Sequence, residues 1–302
     1  MMFGANALQR LRSWLSRRGQ YGLPLRWVAS AAVLLWKTLR RCPLLSRAVI
    51  PLRVEGQRLW VRCFSYDDLL MASPDYESCL KRICPRPGEV VVDAGACIGR
   101  HTLWLARAVG RQGKVIAVEP LPANFRMLRR NVRANRLSNV VCFPAALGAT
   151  RGRVEIRFDY ETSTASARRD LPGRAVVDQW SLDLLLAELA VTKVDIIKLD
   201  VEGMEIDALE GAQKTLAASP DARIVVEVHS HSRQPDGGCR LRKWLEEHDY
   251  EIVETVEGKR VFYWARRRDR SCLTAGLLNA ALLRSAAGKG ARGEGLGAGE
   301  CP

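Results

Sequence analysis

The stretch Val90-Val91-Val92-Asp93-Ala94-Gly95-Ala96-Cys97-Ile98-Gly99 constrains this chain more than any other. Apolar, β-branched positions run into an acid and then into glycines, and a helical pattern follows. That order reads as a buried parallel strand, a tight turn and a helix N-terminus. Glycine at such a turn lets a ligand approach the backbone. Leu103, Ala106 and Val109, with Trp104 and Leu105 beside them, mark the buried side of the helix.

A second strand, Lys114 to Val118, ends in Glu119-Pro120. An acid at the tip of the second strand is placed to accept hydrogen bonds from ribose hydroxyls. Two ligands use this layout. A dinucleotide wants glycines that seat a pyrophosphate on the helix N-terminus. Here the middle glycine of that fingerprint is Cys97 and its last position is Arg100, so the fingerprint fails. The other ligand is S-adenosyl-L-methionine, which has a ribose but no phosphate and tolerates a looser glycine pattern. An ordinary βα turn without a ligand stays open as a third reading.

The body continues as alternating strands and helices. The spacing predicts one or two strands over 51–64 and a helical lead-in over 67–83. It predicts a helix over 124–135 with Phe125, Leu128 and Val132 inward, and a strand over 140–143. A hairpin strand over 153–158, a polar loop over 162–174 lying over the site and a short strand at 176–177 follow. Then come a helix over 182–189 and a strand over 194–200 ending in Asp200. One helix carries Ile206, Leu209 and Leu216, the strand 223–228 carries Glu227, and a helix spans 241–248. A terminal hairpin closes the pattern. This predicts an α/β fold: a doubly wound, Rossmann-like sheet, mostly parallel, with an antiparallel C-terminal hairpin strand. Ligands in such sheets bind beyond the carboxyl ends of the strands. Asp93, Glu119, Asp200 and Glu227 all fall at or near that edge. A lone acid there more often caps the next helix; four on one rim point to a site.

The net charge of +14 invites a nucleic-acid reading, and its location argues against one. Residues 1–50 carry eight Arg, one Lys and no acid, whereas 51–265 carry 31 basic and 30 acidic residues. Leu8, Leu11, Trp14 and Leu15 recur at helical spacing among arginines, and Trp27 to Trp36 is almost wholly apolar. A membrane span needs about twenty apolar residues, so this run is short. The reading is a basic, partly amphipathic extension over 1–50 that makes peripheral membrane contact, against a helix that caps the folded domain. The catalytic domain is placed over 51–268, with an Ala/Gly-rich disordered tail over 269–302. A cytoplasmic, membrane-associated location follows. The nine cysteines form no Cys-x-x-Cys pair, which argues against a zinc module or a disulfide framework and for buried, reduced thiols.

The residues resemble the FkbM-type family of S-adenosylmethionine-dependent methyltransferases, which have the class I fold. The resemblance covers roughly residues 52–265. It rests on Asp93 to Gly99 with Thr102, on Glu119-Pro120 with Asn131 and Asn135, and on Glu227-Val228-His229. Its specific element is Lys198-Leu199-Asp200-Val201-Glu202-Gly203-Met204-Glu205, followed by Gly211-Ala212. Cys97 departs from the family, which usually has Asn there. The resemblance implies O-methylation of a hydroxyl on a sugar, glycan, lipid or secondary metabolite. Cofactor contacts are expected from Asp93, Gly95, Ala96, Cys97, Gly99, Thr102, Glu119, Pro120 and Asp200. The expected chemistry is metal-independent, with His229 as base, oriented by Glu227, and with Asp200 and Glu202 positioning the substrates. A metal held by Glu227, His229 and His231 is the alternative mechanism. The competing functions are a nicotinamide-dependent oxidoreductase and a non-catalytic, membrane-docked module that keeps the cofactor fold.

Overall fold

A computed structural model describes residues 48–63, 65–73, 83–159, 164–166, 171–229, 236–257 and 260–268. The sequence readings for the first 47 residues, the tail beyond 268 and His231 lie outside the described residues.

The chain enters as a hairpin, β1 (Val49–Val54) and β2 (Gln57–Arg62), followed by α1 (Tyr66–Met71). The core then alternates: β3 (Val90–Ala94), α2 (Arg100–Val109), β4 (Lys114–Val118), α3 (Pro122–Ala134) and β5 (Val140–Phe143). A second sheet is built from β6 (Ala146–Leu147), β7 (Gly152–Asp159), β8 (Thr164–Ser166) and β9 (Gly173–Trp180). The chain returns through α4 (Leu182–Glu188), β10 (Ile196–Leu199), α5 (Glu205–Glu210), α6 (Gln213–Ala218) and β11 (Arg223–Val228). It closes with α7 (Gly237–Glu247), β12 (Tyr250–Glu257) and β13 (Arg260–Arg267).

The main sheet has the order β12-β13-β11-β10-β3-β4-β5. Strands β11, β10, β3, β4 and β5 run parallel, and β13 lies antiparallel to its neighbours β11 and β12. The α/β, doubly wound expectation therefore holds. The chain moves from β3 outward through β4 to β5, then returns on the other side of β3 with β10. That reversal opens a crevice between the carboxyl ends of β3 and β10, where such sheets take ligands.

Both faces of the sheet are covered, which is why its strands read as nearly continuous apolar runs. Val92, Ala94, Ile116, Ile197 and Leu199 pack on one side against Leu185, Leu209 and Leu245. Val91, Val115 and Ile196 pack on the other against Leu105, Ala106 and Val109 of α2. Each fully buried Val, Leu or Ile side chain among them contributes about 1.5–3 kcal/mol.

Several expectations shift. The region 162–174 contains strand β8 and the start of β9, so it is not a plain loop. The helix carrying Ile206 and Leu216 is two helices, broken at Gly211. A Cβ on Gly211 would sit 2.1 Å from the carbonyl oxygen of Gly148, so the close approach requires glycine. On α3 the buried face is Asn124, Met127, Leu128, Asn131 and Val132, and Phe125 is only partly covered. Asn131 is buried because it fastens the entry hairpin. Its Oδ1 accepts from Trp60 N at 2.6 Å, and its Nδ2 donates to Trp60 O at 3.1 Å and to Ile98 O at 2.8 Å. The described cysteines are free thiols, but Cys84 and Cys239 are exposed and Cys63, Cys97 and Cys142 only partly buried.

Candidate active site

The turn after β3 alternates in handedness: Gly95, Cys97 and Gly99 have φ of 72°, 50° and 95°. The amides of Gly95 and Ala96 both donate to Val118 O at 3.0 Å, which pins the turn to the end of β4. A Cβ on Gly95 would lie 1.8 Å from the backbone oxygen of Asp200, and one on Gly99 would lie 2.8 Å from Leu128 Cδ1. These glycines thus admit the neighbouring loop and α3, a packing reason that the sequence pattern alone assigns to a ligand.

Asp93 points to the face that α2 covers, and its neighbour across the parallel register is Lys198 of β10. Thr102 Oγ1 donates to Asp93 Oδ2 at 2.6 Å. Lys198 Nζ lies 3.1 Å from Asp93 Oδ1, a charge contact without hydrogen-bond alignment. The same ammonium donates to Gly95 O at 3.3 Å and to Asp200 Oδ2 at 3.5 Å. One buried cation thereby joins β3, the glycine turn and the end of β10.

Glu119 is buried just past β4, and Pro120 carries the chain from it towards α3. Its Oε2 accepts from Cys97 N at 2.9 Å. Its Oε1 accepts from Leu121 N at 2.9 Å and from Asn124 Nδ2 at 3.4 Å. Burial pushes its carboxyl up to about 7, and these hydrogen bonds together with Lys198 limit the rise. Arg62 Nη2 of the hairpin holds Asn124 Oδ1 at 2.9 Å and Asp68 Oδ1 at 2.7 Å. The entry hairpin therefore supports the acid at the cofactor edge. Burial, with Glu119 nearby, raises the Cys97 thiol well above its usual range.

Beyond Asp200 the turn Glu202-Gly203 leads into α5, and His229 follows β11. The structure gathers Asp200, Glu202, Glu205 and Glu227 around His229. Nδ1 of His229 shares a 2.8 Å hydrogen bond with Glu205 Oε1. Nε2 faces Asp200 Oδ1 at 3.6 Å, Glu227 Oε1 at 3.8 Å and Glu202 Oε1 at 3.9 Å. Burial opposes charge on the ring, but Glu202, the Glu205 hydrogen bond and Asp200 outweigh it and lift the imidazole to about 10.

The sequence-selected residues thus form two adjoining groups. Asp93, Gly95, Ala96, Cys97, Gly99, Thr102, Glu119 and Pro120 surround the turn; Asp200, Glu202, Glu227 and His229 form the rim. The hydrogen-bonded partner of His229 is Glu205, not Glu227, because Glu205 reaches the ring from the first turn of α5. Sequence reasoning assigned no role to Lys198, Glu205 or Asn124. Lys198 carried a signal: a charge in the middle of an otherwise apolar buried strand.

Among curated proteins, the chain is 28% identical over 152 residues to Methyltransferase 1 of Beauveria bassiana, covering 43% of this chain and 61% of that one. It is 28% identical over 144 residues to the hexuronic acid methyltransferase AglP of Haloferax volcanii, covering 47% of this chain and 56% of that one. The chain spans about three fifths of the length of these relatives. Among solved structures, methyltransferase FkbM of Methylobacillus flagellatus aligns with a TM-score of 0.44 and 19% identity, covering 61% of this chain and 49% of that one. The model of the methyltransferase FkbM domain matches residues 93–252, more than half of the chain, and this protein belongs to that family.

Proposed function

We propose that this methyltransferase uses S-adenosylmethionine to methylate a hydroxyl of a sugar, glycan, lipid or secondary metabolite. The observation that carries the cofactor assignment is the 2.9 Å hydrogen bond from Cys97 N to Glu119 Oε2. In a dinucleotide site the turn amides take a pyrophosphate. Here a carboxylate already takes the Cys97 amide, and its charge repels phosphate. The same carboxylate keeps acceptor capacity for a ribose hydroxyl: Oε1 already accepts two N–H groups, and Oε2 accepts one and has a lone pair left. The residues therefore fit a nucleoside without phosphate and with cationic groups, as S-adenosylmethionine has.

When bound, the cofactor supplies a methyl group on a sulfonium with a good leaving group. The chain's own task is to align the acceptor oxygen with that methyl and to exclude water. Asp200 is the rim residue packed against the glycine turn, and in this reading cofactor and acceptor meet beside it. Because the surrounding carboxylates favour the charged form of His229, the base role expected of that ring passes in this reading to Glu202 on the outer turn, which is proposed to take the hydroxyl proton. An oxygen receiving a methyl becomes acidic, so a carboxylate suffices as base. His229 lies inside the carboxylate cluster and holds Glu205, Asp200 and Glu202 in place. A positioned base contributes about 10²–10⁴-fold. A hydroxylated acceptor is also in keeping with the name of the similar hexuronic acid methyltransferase.

Transfer of labelled methyl from S-adenosylmethionine to monosaccharides, uronic acids and lipid extracts tests the reading. The expected product carries label in a base-stable ether. Label in a base-labile ester, or no transfer to any hydroxylated acceptor, would overturn the O-methylation assignment.

A further inference from the structure

We propose that Asp200, Glu227 and His229 hold a hard divalent cation, of the Mn²⁺ or Mg²⁺ kind, at the acceptor side of the site. This inference rests on the methyltransferase reading above. One ligand atom from each of the three residues lies within 4.8 Å of the others. Ligands on opposite sides of one ion are about 4.2–4.6 Å apart, and adjacent ones about 3.0–3.6 Å. The 3.6 Å and 3.8 Å separations from His229 Nε2 to Asp200 and Glu227 are longer than charge-assisted hydrogen bonds. They close to ligand spacing with a shift of a few tenths of an ångström.

A second feature points the same way. Glu205, whose side chain is 7% exposed, holds Nδ1 of His229 at 2.8 Å, which aims Nε2 into the cluster. The same Glu205 oxygen accepts from Gly203 N at 2.9 Å, so the orienting carboxylate is itself fixed. A carboxylate behind a histidine is the usual support for a metal-ligating imidazole. Glu227 is near the end of β11 and His229 just past it, while Asp200 arrives from the end of the neighbouring strand β10. Arg260 Nη1 lies 3.8 Å from Glu227 and Lys198 Nζ 3.5 Å from Asp200. The two carboxylates suit Mn²⁺ or Mg²⁺, and of these Mn²⁺ better accepts the imidazole, whose ring proton the cation would replace on binding. The positions left open suit an acceptor with two neighbouring oxygens, as in a vicinal diol or a hydroxy acid. A cation there would lower the hydroxyl pKa.

The test titrates Mn²⁺ into the full chain and follows free Mn²⁺ by electron paramagnetic resonance. One Mn²⁺ per chain is expected. Glu227→Gln and His229→Gln should each weaken it by about tenfold to a hundredfold or more, and Glu205→Gln by about tenfold. Glu227→Gln keeps the side-chain shape, so it carries the test if His229→Gln does not fold. No binding at millimolar Mn²⁺, tight Zn²⁺ without Mn²⁺, or unchanged binding in a folded Glu227→Gln would overturn the proposal. S-adenosylmethionine calorimetry on the same samples separates the two claims. Cofactor binding without Mn²⁺ binding removes the cation alone, whereas absence of cofactor binding removes the methyltransferase reading beneath it.

Discussion

Lys198 Nζ and Asp93 Oδ1 face each other 3.1 Å apart across two parallel strands, with side chains 3% and 0% exposed. Removing one partner of a buried pair leaves an uncompensated charge, at a cost of about 3–5 kcal/mol. Lys198→Met is therefore expected to destabilise the fold by that amount in urea unfolding. Adding Asp93→Asn should recover part of the loss. A single variant as stable as the wild type would show that the pair does not hold the crevice together.

Glu119 gives the site a pH dependence. Its carboxyl is raised from 4.5 to about 7, so the folded state binds more protons than the unfolded state between those values. Stability must then fall as pH rises through that window. Cofactor affinity should move the opposite way, rising towards pH 7 and above as Glu119 ionises and can accept a ribose hydroxyl. Glu119→Gln is expected to flatten the affinity profile and to remove the fall in stability between pH 5 and 6.5, leaving the fall above pH 6.5 that His229 contributes. Unfolding midpoints and calorimetry across pH 5–8.5 check this; a wild-type stability that rises across the same window would contradict it.

Cys97 has φ of 50°, in the left-handed region. A side chain other than Gly, Asn or Asp costs about 1–2 kcal/mol per residue there. Cys97→Asn should raise stability by up to about 1 kcal/mol, and the turn geometry should persist. Thermal unfolding of the variant checks the sign.

The fold was legible because its strands are buried on both faces and end in acids. The run Val90 to Asp93 and the tip Glu119 could be located from the pattern alone. What the sequence could not show was pairing between distant segments. Lys198 meets Asp93 and Gly95 only through the register of β10 beside β3. Glu227 looked like the partner of His229 because alternate residues share a strand face. Two residues of strand span about 6.6 Å, so the closer partner came from another element, Glu205 on α5. Asn131 broke the apolar pattern of its helix because its task is to bind the backbone of Trp60. The polar stretch 162–174 hid strand β8 and the start of β9.

The basic N-terminal stretch yields a further expectation. Residues 1–50 carry nine positive charges and no acid. Each such charge near an anionic surface contributes about 1 kcal/mol. The full chain should sediment with anionic liposomes, and less so as salt is raised. A chain lacking residues 1–47 should lose this and keep cofactor binding. Liposome binding that survives the truncation would place the membrane contact elsewhere.

The central claim is that the turn at Gly95 to Gly99 and the acid Glu119 bind S-adenosylmethionine and not a dinucleotide. Isothermal calorimetry of the full chain with S-adenosylmethionine and, separately, with NAD measures it directly. The account predicts one S-adenosylmethionine site per chain, weakened about tenfold to a hundredfold by Glu119→Ala, and no heat with NAD. Saturable NAD binding, or S-adenosylmethionine affinity unchanged in Glu119→Ala, would contradict it.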